Sequence, residues 1–295
     1  MFEIFGIPSQ ALFGQLLLGL INGSFYALLS LGLAVIFGML NIINFAHGAQ
    51  YMMGAFAAYL LLQHLGLSYW FALVIAPIVV GFTGVVVERL FLQRLYNLDH
   101  LYGLLLTFGL ALIMEGVLRN QYGSSGLPYR IPPQLAGGQD LGFMFLPNYR
   151  AWVIAASLTV CLTTWFVIER TRLGAYLRAA TENPTLVRAF GINVPRMITL
   201  TYGFGVGLAA LAGVMAAPIY NVSPQMGGNI IIVVFAVVVI GGMGSIMGAI
   251  VTGFALGLIE GLTKVFFPEA SNTVIFVIMA IVLLVRPAGL FGRAA

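Results

Sequence analysis

Apolar residues run along this chain in blocks too long and too pure for surface helices. They fall at 11–40, 45–63, 69–87, 101–119, 151–168, 198–218, 229–262 and 272–286. No Asp, Glu, Lys or Arg occurs between Glu3 and Glu88, a run of 84 residues, or between Arg196 and Glu260, a run of 63. A helix crossing the hydrocarbon core needs about 20 apolar residues, so each run holds several spans. Two blocks exceed one span: as straight helices, 11–40 would be about 45 Å long and 229–262 about 51 Å. The first contains Asn22-Gly23-Ser24 and the second Gly241-Gly242-Met243-Gly244-Ser245, a poor helix centre. Each reads as a broken helix or a pair of short segments. The pattern predicts an all-α, polytopic membrane helix bundle of about 8–10 transmembrane segments with broken or re-entrant helices. It forms one transmembrane domain over 1–295.

Composition sharpens this. Hydrophobic residues make up 61% of the chain and charged residues 7%, with a mean hydropathy of +1.03. A soluble domain of this length needs about 25% charged residues to cover its surface. The net charge of +4 does not point to nucleic acid: Lys264 is the one lysine, and no basic stripe lines a face. The charge marks orientation instead. Arg170, Arg172, Arg178, Arg188 and Arg196 cluster in 169–197, which the positive-inside bias makes cytoplasmic. Arg89 and Arg94, and the end with Arg286 and Arg293, are expected on the same side. The Gly- and Pro-rich loop 120–150 is then external. By the same parity, 229–262 must begin and end outside, hence two segments. If 11–40 is a pair, four segments precede Arg89, the N-terminus is inside, and the total is about ten. MFEIFGIPSQ has no basic residue before its apolar stretch, so that stretch is expected to be retained rather than cleaved.

The candidate chemistry is sparse. No phosphate-binding Gly-Lys-Ser/Thr loop, nucleophile elbow or His-Glu-x-x-His occurs, and His47, His64 and His100 are scattered. No catalytic residue or metal site is expected. The lone Cys161 excludes an internal disulfide. The polar cluster Asn41, Asn44, His47, Gln50 and Tyr51 interrupts an apolar block. Asn44, His47 and Tyr51 have a spacing that can share a helix face. Unpaired polar groups in lipid are costly, so these face the bundle or a watery path. Asn22 and Ser24 are similar. Two readings stand for them: a translocation path, or hydrogen bonds that fix helix packing. Glu115 and Glu260 are isolated acids in apolar spans, the first with Arg119 four residues on. Gly244-xxx-Gly248 and Gly253-xxx-Gly257-xxx-Gly261 read as close-packing ridges, or as a discontinuous helix around a site. In 169–197, Thr181, Glu182, Asn183 and Pro184 resemble a helix start, Arg188 lies within the short amphipathic helix, and Gly191 ends it. That helix lies on the membrane surface or docks on a soluble partner.

Three stretches resemble one family. GLINGSFYALLSLGLAVIFGMLNIINFAHGAQYMMGAF (19–56), TRLGAYLRAATENPTLVRAFGINV (171–194) and the Gly-Gly-Met-Gly-Ser-x-x-Gly run at 241–248 look like the branched-chain amino acid ABC transporter permeases, on the side of the first of their two paired subunits. The resemblance implies an importer subunit in a bacterial-type inner membrane. It implies a second related permease, two cytoplasmic ATPase subunits that hold the ATP and magnesium, and a periplasmic or surface binding protein. No cofactor is then expected in this chain. It makes 181–191 the coupling helix and the polar cluster a candidate substrate path for branched-chain or related hydrophobic amino acids. Relatives also move urea and short amides. A stand-alone carrier or channel is the rival outside the family; a packing scaffold is another, and an enzyme a third.

Overall fold

The computed structural model describes residues 3–4, 7–40, 43–96 and 98–292. Asn41 and Arg293 lie outside the described residues. A short hairpin, β1 (Glu3–Ile4) with β2 (Ile7–Pro8), precedes α1 (Ser9–Leu40). Then follow α2 (Ala46–Leu65), α3 (Tyr69–Leu90), α4 (His100–Tyr122) and the hairpin of β3 (Gly138–Asp140) and β4 (Phe145–Pro147). The second half comprises α5 (Asn148–Arg170), α6 (Arg172–Glu182), α7 (Pro184–Ala189), α8 (Val194–Tyr220), α9 (Met226–Gly241), α10 (Ile246–Phe266) and α11 (Val274–Val285). Six of these helical segments are long and apolar enough to cross a membrane; α9 and α11 are shorter apolar helices. With α2, they make nine predominantly apolar helices among the described residues.

The first block is one helix, not two. α1 runs unbroken through Asn22-Gly23-Ser24. The polar groups there are satisfied without opening the backbone. Ser24 Oγ donates to the Leu20 carbonyl at 2.9 Å, and Asn22 Nδ2 donates to Glu260 Oε1 at 3.1 Å. Gly23 keeps its place because α10 crosses it: a Cβ there would stand 3.1 Å from Phe254 Cα. Three crossings therefore precede Arg89, not four. The start of α1 lies at the end of the bundle opposite Arg89, where Phe13 meets Phe143 of the long loop at 4.9 Å between ring centroids. The inside N-terminus and the tenth segment fall with the pair.

The second long block does break. Gly242 (φ +100°) and Gly244 (φ +81°) take the left-handed turn between α9 and α10, and Ser245 caps α10 by accepting from Gly248 N at 3.1 Å. The later ridge is not a break, since α10 is continuous. Gly253 and Gly257 pack directly on α1, where a Cβ on Gly257 would meet Gly23 N at 2.4 Å. The α1–α10 pair and the α8 clasp on α2 and α3 form the core, because small residues let backbones approach without a hydrophobic drive from lipid.

Aromatic residues collect at the end away from the arginine-rich loops. Tyr149 Oη donates to the Met215 carbonyl at 2.9 Å and pairs with Tyr69 Oη at 3.0 Å; Trp152 Nε1 reaches the same Tyr69 oxygen at 3.3 Å. Trp70 and Trp152 stack edge-on at 5.2 Å. This is the composition of an interfacial belt. The loop 120–150 folds over it, fastened by the Leu127–Val222 bridge. Burial, aided by Tyr69, pushes the Tyr129 phenol in that loop up to about 12.

Candidate functional site: a buried polar belt and an arginine-side helix pair

The polar cluster sits where α2 begins, and α2 begins deep. His47 lies level with Leu29, about two thirds of the way along α1, and its Nε2 meets the Leu29 carbonyl at 3.0 Å. A carbonyl only accepts, so this contact places the proton on Nε2. Gly32 makes room for the ring, since a Cβ there would touch His47 Cε1 at 3.0 Å. Asn44 precedes the helix and donates to Gln50 Oε1 at 3.3 Å; Gln50 Nε2 reaches Tyr202 Oη on α8 at 3.5 Å. Tyr51 is buried on the α8 face, beside Gly213. Two acceptors in the belt have no protein partner among the described residues: Asn44 Oδ1 and His47 Nδ1.

The structure thus brings Asn44, His47 and Gln50 together, but Asn44, His47 and Tyr51 do not share one helix face. His47 turns to α1, Gln50 to α8, and Asn44 stands outside the helix. Asn22 and Ser24 are elsewhere, near the middle of α1. Asn22 joins a second network: Glu260 accepts from Asn22, from Tyr26 Oη at 2.7 Å and from Lys264 Nζ at 2.5 Å, and Tyr220 Oη donates to Asn22 Oδ1.

Sequence reasoning missed Thr107. Irregular backbone at membrane depth survives only if protein satisfies it. The Ile43–Phe45 connection has this problem, and Thr107 of α4, fully buried, answers it: Oγ1 accepts from Phe45 N at 3.2 Å and lies 3.3 Å from the Ile43 carbonyl. A lone Thr among apolar residues carried no signal in the sequence. Between α2, α4 and α9, a cavity of about 230 Å³ lies beside this connection, lined by Phe45, Met52, Phe108, Glu115, Gly228 and Ile231. Glu115 is paired to Arg119 one turn on.

At the arginine-rich end, 169–197 forms two helices rather than one. Thr181 and Glu182 end α6; Asn183 caps α7, its Oδ1 accepting from Leu186 N at 2.9 Å, with Pro184 in the first turn. Gly191 turns the chain at φ +81°, and Asn193 caps α8 by accepting from Arg196 N at 3.1 Å. Val187 packs inward with Ala180 and Val194, whereas Leu186 and Phe190 point out, 55% and 78% exposed, with Arg188 between them. Above this pair, a cavity of about 480 Å³ is walled by Gly38, Glu169, Arg178, Thr181 and Ser245. Nearby, the buried carboxylate of Glu88 accepts from Thr199 Oγ1 at 2.6 Å and from Tyr96 Oη, which ties the start of α8 to the end of α3. Burial and that carboxylate raise the Tyr96 phenol above its ordinary value.

Six helices long and apolar enough to span a bilayer, a buried polar belt and an arginine-rich helix pair at one end of the bundle are the architecture of a multi-pass membrane permease. The family described as "Branched-chain amino acid transport system / permease component" matches over residues 15–283, and the chain belongs to it. The chain is 31% identical over 298 residues to the "High-affinity branched-chain amino acid transport system permease protein LivH" of Escherichia coli K12, covering 95% of each. It is also 31% identical over 292 residues to BraD of Pseudomonas aeruginosa, again covering 95% of each. The Escherichia coli permease LivM is 28% identical over 291 residues, covering 90% of this chain and 67% of LivM.

Proposed function

We propose that this chain is the membrane permease subunit of an ATP-driven importer of branched-chain amino acids in a bacterial-type inner membrane. A second, related permease stands beside it, as LivM is named beside LivH. Two separate ATPase chains hold the nucleotide, and a binding protein delivers substrate at the aromatic-belted end. The observation that carries this reading is α7. Outside the bilayer, exposed Leu186 and Phe190 flank a cation on a helix capped at both ends. A bare apolar pair on a rigid helix suits a groove on a soluble partner. Arginines also concentrate at that end, which the positive-inside bias assigns to the cytoplasm.

The belt supports the transport reading. An ammonium group needs acceptors, and Asn44 Oδ1 and His47 Nδ1 are acceptors without protein partners. Alternating access would expose them as α2 shifts against α8. The deciding experiment purifies the chain from its native membrane in mild detergent, identifies co-purifying subunits and measures ATP-dependent leucine uptake after reconstitution. Two ATP-hydrolysing chains, a second hydrophobic subunit and uptake establish the reading. A lone chain whose uptake follows an ion gradient overturns it in favour of a secondary carrier.

A further inference from the structure

A slot of about 610 Å³ opens between α3, α5 and α8. α5 is pinned to both neighbours at the aromatic end through Tyr149, and the slot lies farther along the helix, between it and α3 and α8. α3 and α8 meet closely along Gly81 and Gly203, so the slot has a smooth floor. Its walls are Ile78 and Val85 on one side, Leu200 and Phe204 on another, and Thr163 and Val167 on α5. From Leu200 to Leu211 it extends about 16 Å at the helical rise, close to half of a roughly 30 Å hydrocarbon core. That is the depth of one leaflet.

The mouth of the slot is charged. Arg89 follows Val85 by four residues and Arg196 precedes Leu200 by four, so both stand one turn beyond the apolar walls. The Glu88–Thr199 bond at 2.6 Å brings these two helix ends together. Among the described residues neither arginine has a carboxylate partner within salt-bridge distance, and both are exposed. Glu88, the acid beside Arg89 in sequence, turns inward to Thr199 and Tyr96.

We propose that this slot binds an anionic phospholipid, with an acyl chain along α8 and its phosphate between Arg89 and Arg196. Apolar depth of one leaflet below a pair of free guanidiniums is the chemistry of a lipid tail and an anionic headgroup. The site does not depend on the transport reading.

The test uses the full chain in dodecyl maltoside, titrated with phosphatidylglycerol or phosphatidylcholine of identical acyl chains and followed by native mass spectrometry. Phosphatidylglycerol is expected to bind about tenfold more tightly. The double variant Arg89→Gln, Arg196→Gln removes the preference. Thr163→Phe fills the slot and reduces binding of both lipids while the arginines remain. Equal affinity of the wild type for both lipids, or a preference that survives the double variant, overturns the proposal. So does efficient cross-linking of Leu200→Cys to a second hydrophobic subunit in native membranes, which would make the slot a protein interface.

Discussion

The hydroxyl of Thr107 accepts the amide of Phe45 at 3.2 Å, across helices 62 residues apart in sequence. This bond lets α2 start inside the bundle instead of at its edge. Replacing Thr107 by Val keeps the shape and removes the acceptor. The stranded amide costs about 1–3 kcal/mol. Thr107→Val is therefore expected to lower the unfolding midpoint in detergent, while Thr107→Ser, which keeps the acceptor, stays near wild type. Thermal unfolding followed by tryptophan fluorescence checks this; equal midpoints for Val and wild type would refute the role.

Small residues at the α1–α10 crossing make a sharper prediction. A Cβ on Gly257 would stand 2.4 Å from Gly19 O and from the Gly23 backbone, so the helices must separate. Overpacking of this kind costs about 1–3 kcal/mol or more. Gly257→Leu is expected to abolish a monodisperse elution peak. Gly14→Ala, which meets nothing within 4 Å, is expected to leave the peak unchanged.

Much of this fold was legible, and the misses have physical causes. Apolar length and the Gly241–Ser245 cluster located α9 and α10, because three glycines among five residues between apolar runs leave few helical options. Asn22-Gly23-Ser24 misled for the same reason. Its partners, Glu260 and the α10 glycines, lie about 230 residues away, and a single sequence does not display pairing. The capped helix at 184–189 was readable from Asn183, Pro184 and Gly191, but Thr181 and Glu182, read as part of its start, close the preceding helix α6. The belt at Asn44, His47 and Gln50 was readable as polar residues in an apolar block. Its division between α1 and α8 was not, because which neighbour a side chain meets is set by tertiary packing.

Phe190 is 78% exposed outside the bilayer and does not support the fold. Phe190→Ala is therefore expected to leave elution and thermal midpoint unchanged. If α7 seats in an ATPase groove, it lowers co-purifying ATPase by about tenfold, since an apolar anchor at an interface centre contributes 1–2 kcal/mol or more. Arg188→Glu is expected to act in the same direction through charge. Undiminished ATPase recovery with both variants would remove α7 from the interface.

Glu260 is buried and receives three donors, whereas Lys264 is its partially exposed partner, 32% accessible at the side chain. The two residues should not be equivalent. Lys264→Met leaves the carboxylate with Asn22 and Tyr26, so its cost is expected to stay near 1 kcal/mol, the range of a partly exposed pair. Glu260→Ala strands a buried amide and phenol beside a partly exposed ammonium, and each unsatisfied buried donor costs about 1–3 kcal/mol. The double variant Glu260→Ala, Lys264→Met is expected to recover part of that loss, because no unpaired charge is left behind. A double-mutant cycle on the unfolding free energy decides it: a coupling near zero would mean that Lys264 only neutralises solvent-facing charge, and that the network is held by Asn22 and Tyr26 alone.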